Sequence, residues 1–287
     1  MKRLKLKVFT AVWLLLAAWL PTTLQAELLY EVTWDNKTVW LLGTIHLVSN
    51  EETRLSDTAQ SALQESRFVW LEMTPQELSR SSTLLFEQGV RSEPYLQEQL
   101  DPEQWAKLAA VTSRLGLATS VVGRMEPWLL EYVVLVLTLR KEGFDEQLGI
   151  DMQLIRAAEA LEKPLRGLED AEDQVSVLMD ARDEMPLIEH IELILGDSES
   201  AVQDMRSLEA MWERGELAEL LTSATAEMSE RTKHVLLVER NQKWFRQIRQ
   251  EIAADDTVFV GVGAAHLGGE QGLLDLFERA GAEITRH

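Results

Sequence analysis

Apolar and polar positions alternate along the chain in a way that separates short strands from long helical blocks. Leu28 to Thr33 and Thr38 to Leu42 are β-branched, aromatic and aliphatic, and Trp34-Asp35-Asn36-Lys37 between them is a turn, so a hairpin is expected. Helical periodicity runs from about Ser56 to Glu65, and the short run Phe68-Val69-Trp70-Leu71 reads as a buried strand ending on Glu72. Pro75 opens a long helical stretch, with further helices near Pro102 to Leu115 and Trp128 to Arg140. Gly149 to Leu161 is another amphipathic helix, followed by a short strand from Leu165 to Leu168. From Ala171 to about Ala254 the pattern is almost wholly helical. The chain closes with a strand at Thr257 to Val262, a helix at Glu270 to Ala280 and a last strand at Glu283 to Thr285. This is a helix-rich α/β pattern: a core sheet with large helical blocks, read as a single domain over 27–287. The blocks Pro75 to Arg140 and Met185 to Glu227 are expected to line or cover a cleft.

The first 26 residues follow a different plan. Lys2, Arg3, Lys5 and Lys7 precede an apolar run from Val8 to Leu20, closed by Pro21 and by the small residue Ala26. That is the layout of a secretory signal peptide, and its 13 apolar residues fall short of the roughly 20 that span a bilayer. Export to a bacterial periplasm is expected, with an uncleaved membrane anchor as the alternative and no later span. Cleavage would remove four bases and no acid from a 287-residue chain of net charge −20. So acidic a protein is no partner for nucleic acid, whose phosphates require a basic face. The chain has no cysteine, so any metal must be held by His, Asp or Glu.

Candidate chemistry gathers at predicted strand ends. Two segments share the order strand, Gly, two residues, His, Leu: Leu41-Leu42-Gly43-Thr44-Ile45-His46-Leu47 and Val260-Gly261-Val262-Gly263-Ala264-Ala265-His266-Leu267. With 15 glycines and five histidines in 287 residues, chance supplies well under one Gly-x-x-His match. Glycine lets the chain leave the strand, and the histidine then projects past the carboxyl end, where α/β proteins place ligands. If the two strands are parallel neighbours, both imidazoles meet at one edge; the plainer alternative is a pair of histidines packing at turns. Glu72 stands past a strand in the same manner, an expensive place for an acid unless it is paired. Glu169 and Asp151 are further candidates, with capping of the next helix as their alternative role. His190 and His234 lie in charged helical stretches and are expected to be exposed, and His287, the last residue, to be disordered. The tryptophans are expected in packing, and no phosphate-binding or dinucleotide glycine loop is found.

Gly43-Thr44-Ile45-His46, Glu72, Gly149-Ile150-Asp151, Gly167-Leu168-Glu169 with Gln174, Glu239-Arg240-Asn241-Gln242-Lys243-Trp244 and Gly263-Ala264-Ala265-His266 occur in that order. Together they resemble the TraB/GumN family, which includes the animal TIKI proteins that cleave Wnt. The resemblance covers nearly all of the chain after the leader. It implies a fold akin to erythromycin esterases and the haem-binding ChaN proteins. It also implies a divalent-metal protease site of His46, Glu72 and His266, and makes Arg240 a site residue that either clamps a carboxylate or pairs with Glu72, with a plain surface salt bridge as its alternative role.

The leading expectation is therefore hydrolysis of a peptide or other amide bond in a peptide or small-molecule substrate. Water would be activated by Mn²⁺, Co²⁺ or Zn²⁺ on His46, His266 and Glu72, with Glu72 as third ligand or general base. Two alternatives stand beside it: a metal-free His/Glu hydrolase of esterase type, and a haem- or metal-binding protein without turnover.

Overall fold

The computed structural model describes residues 27–181 and 185–287; the leader segment lies outside the described residues. One six-stranded sheet is built from β1 (Leu29–Trp34), β2 (Lys37–Thr44), β3 (Val69–Leu71), β4 (Leu165–Gly167), β5 (Thr257–Gly263) and β6 (Glu283–Arg286). Its spatial order is β4-β3-β5-β2-β1-β6. The four strands β4, β3, β5 and β2 are parallel, and β1 runs antiparallel to both β2 and β6.

Local chemistry explains the elements. The β1–β2 turn places Asp35 and Asn36 at φ 46° and 58°, the two left-handed central positions of a two-residue hairpin, which Asn and Asp tolerate best. Ser56 caps helix Asp57–Glu65 by accepting from Ala59 N–H, and Thr74 with Pro75 opens helix Pro75–Gly89 in the same way. β5 is central, and Val258, Phe259, Val260 and Val262 are wholly buried, each contributing about 1.5–3 kcal/mol of apolar burial. Leu41, Trp70, Trp212 and Trp244 complete this core around the sheet.

A second apolar cluster lies among helices away from the sheet, with Leu96, Leu108, Leu129, Leu130, Ile191 and Ile194 at its centre. His190 belongs here, which corrects the expectation of an exposed side chain: it is only 4% exposed, and its Nδ1 lies 2.7 Å from Glu131 Oε2. The reason is periodic. Leu187, His190, Ile191 and Ile194 fall on one face of helix Leu187–Leu195, and the charged neighbours that suggested exposure point the other way. His287 is likewise ordered rather than frayed: its N–H donates to Leu29 O at 3.0 Å and its ring packs 4.9 Å from Trp40. His234 is exposed, as expected from its surroundings.

Candidate functional site

Because β4, β3, β5 and β2 are parallel, their carboxyl ends share one edge of the sheet, and each delivers a polar side chain there. Glu72 follows β3, Glu169 follows β4, His46 follows β2 by two residues, and His266 closes the 3₁₀ turn Ala264–His266 after β5. The β2–β5 register pairs Thr44 with Gly263. Gly263 marks the centre. A Cβ there would lie 3.2 Å from Glu72 Oε1, 3.6 Å from His266 Cδ2 and 3.9 Å from His46 Nε2, so three separate segments converge on one empty methyl position.

Each histidine is oriented through its Nδ1. His46 Nδ1 lies 2.9 Å from Asp151 Oδ2, in the first turn of helix Ile150–Ala160. That helix is docked on the same loop: Ile150 N–H donates to Ile45 O at 2.9 Å, and Gly149 packs so closely that a Cβ would overlap the His46 carbonyl oxygen. His266 Nδ1 lies 2.7 Å from Asn241 Oδ1, while Asn241 Nδ2 donates to Gln271 O at 3.0 Å. This second bond turns the amide oxygen towards the imidazole, so His266 carries its proton on Nδ1 and presents a lone pair from Nε2.

Arg240 fills the space between the carboxylates. Nη2 donates to Glu72 Oε2 at 2.7 Å and to Glu169 Oε1 at 2.6 Å, and Nε donates to Glu169 Oε2 at 3.0 Å. Nη1 faces Leu236 O at 3.2 Å and His266 Nε2 at 3.1 Å, and Gln174 Oε1 accepts from Nη2 at 3.2 Å. All five guanidinium N–H groups are thereby engaged. Arg240 pairs with Glu72 and has no donor left to clamp a substrate. It enters from the end of a π-helical turn, His234–Glu239, at the head of helix Arg240–Glu251; such wide turns recur at functional sites. Trp244 backs both groups, 4.6 Å from the guanidinium and 4.5 Å from the His266 ring.

The charges separate the two histidines. The Asp151 carboxylate raises the pKa of His46 to about 9, against a desolvation cost. The His46 side chain is 65% exposed, so water screens part of that field. Burial drives His266 down to about 3, with Arg240 adding to the effect against Glu72, so its imidazole stays neutral. Burial of Glu72 opposes its ionisation, but Arg240, the histidines and the Gly263 N–H at 2.7 Å outweigh it and hold the carboxyl at about 2. Burial raises the pKa of Glu169 despite Arg240.

Two imidazoles with anchored Nδ1 atoms and Nε2 atoms turned inward, beside a carboxylate, are the donor types a divalent metal takes. His266 Nε2 and Glu72 Oε1 stand 4.0 Å apart. The contact that stands in the way is Arg240 Nη1 on the His266 lone pair, and among the described residues no three His, Asp or Glu side chains are grouped as a ready metal site. Loading would require Arg240 to release His266.

Asp151 and Glu169 are thus both in the cluster. Capping of helix Ala171–Asp180 falls instead to Asp170, which accepts from Asp173 N–H. Asn241 and Gln174 had no distinguishing signal of their own in the sequence beyond their place in the ordered motifs.

A six-stranded mixed sheet whose parallel strands each hand one polar side chain to a shared edge, set among large helical blocks, defines a helix-rich α/β protein. The chain belongs to the TraB/PrgY/gumN family, whose model matches residues 28–286. Among its relatives are the uncharacterized protein YbaP of Escherichia coli (strain K12) and that of Shigella flexneri. Each is 25% identical over 239 residues, covering 83% of this chain and 87% of the relative. No solved structure matches.

Proposed function

We propose that this chain is an exported hydrolase of peptide or other amide bonds, with water activated where His46, Glu72 and His266 converge. The observation that carries the reading is that convergence on Gly263, with each imidazole braced by an oxygen behind it. Glu72, held as the anion, accepts a hydrogen bond from the attacking water. Asp151 holds the His46 ring so that Nε2 faces the scissile group, and Trp244 with the buried Glu169–Arg240 pair keeps the inner wall dry and fixed. A divalent metal, Mn²⁺, Co²⁺ or Zn²⁺, is the proposed cofactor, held by His46, His266 and Glu72. When bound it would lower the pKa of water from about 15.7 towards 7.

A second reading keeps the reaction and drops the metal. It is favoured by Arg240 Nη1 at 3.1 Å from His266 Nε2, which leaves His46 as the one open imidazole. His46, cationic through Asp151, would then give its Nε2 proton to the leaving group. One experiment covers both: dialysed protein is assayed for metal content and for cleavage of a quenched-fluorescent peptide library, with and without chelator, beside His46→Ala and His266→Ala. The proposal expects cleavage that both substitutions abolish. Chelator-sensitive cleavage with about one metal per chain supports the metal, and chelator-insensitive cleavage the second reading. A Soret band, or no cleavage of any probe, would overturn the hydrolase. Export is tested by mass spectrometry of the protein from its host, where loss of about 26 residues is expected.

A further inference from the structure

Helix Ser198–Glu213 grips both flanks of the segment that carries His46. On one flank, three residues before His46, the buried Trp212 Nε1–H donates to Gly43 O at 2.7 Å. On the other, three and four residues after it, Ser49 N–H and Asn50 N–H donate to Glu209 Oε1 at 2.8 and 2.9 Å, and Ser49 Oγ donates to Glu209 Oε2 at 2.6 Å. Glu213 Oε1, one turn on, accepts from Asn50 Nδ2 at 2.8 Å and Thr53 Oγ1 at 2.7 Å. The opposite side of the segment rests on the helix that bears Asp151, through Ile150 N–H to Ile45 O at 2.9 Å and Gln153 Nε2 to Thr53 O at 2.9 Å.

Glu209 is the telling member. It is 5% exposed, and its hydrogen-bond partners are two consecutive backbone amides and a hydroxyl rather than a cation. Burying a carboxylate is costly, and neutral donors offset that cost only when they are aimed at both oxygens. An apolar residue would hold the helix in place more cheaply; what the carboxylate adds is a directional hold on the backbone of the His46 loop, 160 residues earlier in the chain.

We infer that Glu209 is a positioning residue: by fixing Ser49 and Asn50 against helix Ser198–Glu213, it sets the orientation in which the His46 ring meets Asp151. The inference rests on the reading of His46 as a site residue. The test compares Glu209→Ala and Glu209→Gln in the full mature chain by amide exchange and by the ¹H–¹⁵N spectrum of the His46 ring at one pH. In Glu209→Ala, exchange at Ser49 and Asn50 is expected to quicken roughly tenfold or more, the factor for about one net hydrogen bond, and the His46 signals to shift and broaden. Glu209→Gln keeps a carbonyl acceptor for the amides and should give a smaller change in the same direction. It carries the test alone if the alanine variant does not fold. An unchanged His46 ring beside faster loop exchange overturns the inference. The readout needs no turnover, so a failure to find hydrolysis would overturn the proposed function and leave this result standing.

Discussion

His46 Nδ1 and Asp151 Oδ2 stand 2.9 Å apart, joining the loop after β2 to the first turn of helix Ile150–Ala160. Asp151 is therefore the group that selects which ring nitrogen faces the site. Asp151→Asn removes the charge while keeping the size. Turnover or metal affinity is expected to fall by about 10–100-fold, the usual cost of losing the partner behind a functional histidine. Steady-state kinetics and metal titration of this variant are the check, with thermal melting to show that the fold persists.

The same pair gives a pH signature. The folded-state pKa of His46, about 9, lies above its ordinary 6.5, so the stabilisation it brings is complete below pH 6.5 and is lost as pH rises through 9. His266 has the opposite sign: at about 3 against 6.5, its contribution is complete above pH 6.5 and is lost as pH falls towards 3. Urea denaturation should show His46→Gln losing its deficit against the wild type between pH 6.5 and 9.5. A deficit that persists at pH 9.5 would mean that His46 stabilises by packing rather than by charge.

Arg240→Met leaves Glu72 and Glu169 facing each other without their shared cation. A loss of about 3–5 kcal/mol is expected in denaturant titration, the range for breaking a buried ion pair from one side. Arg240→Lys keeps one charge and loses the planar fork, so it should fall between that variant and the wild type. A near-neutral Arg240→Met would show that the two acids are not both ionised in the folded chain.

Gly263→Ala is the smallest change that reaches the centre. Its methyl would press on Glu72 Oε1 at 3.2 Å, which must give by a few tenths of an ångström, while meeting His266 Cδ2 at 3.6 Å in ordinary contact. Activity is expected to drop about tenfold or more, since displacements up to 1 Å can cost about a hundredfold. The melting temperature should change little. Full activity in this variant would place the chemistry elsewhere.

His190→Ala should behave in the reverse way. It breaks the Glu131 contact and opens a cavity among Ile191 and Ile194, at an expected cost of about 1–3 kcal/mol. Turnover per folded molecule should be unchanged, because His190 lies in the helical cluster away from the strand ends.

The strands and the two glycine–histidine exits were legible because they depend on local pattern: β5 reads as an apolar run, and a glycine before a polar residue marks where the chain leaves it. Glu72 was legible for the same reason. The partners were not. Arg240 meets Glu169 across 71 residues and Glu72 across 168, distances at which helix packing, rather than spacing, decides who meets whom. Glu169 sits beside Asp170, and the sequence does not say which acid caps the helix and which turns inward. His190 was the readable miss. The spacing Leu187, His190, Ile191, Ile194 already places it on an apolar face, and the charges at Glu189 and Glu192 obscured that.

The place of β5 in the sheet has a consequence for how the molecule comes into being. Made from residues 257–263, it lies between β3 and β2, which share no ladder with each other. A chain emerging from its amino terminus can therefore pair β1 with β2, and β3 with β4, but holds these as two unjoined fragments. Glu72 and His46 stay in different fragments until the third segment from the chain's far end slides in and zips them together. Proteolytic loss of the last 31 residues would remove the joint as well as His266. The strand that completes the sheet is therefore also the one that brings Glu72, His46 and His266 to a common edge.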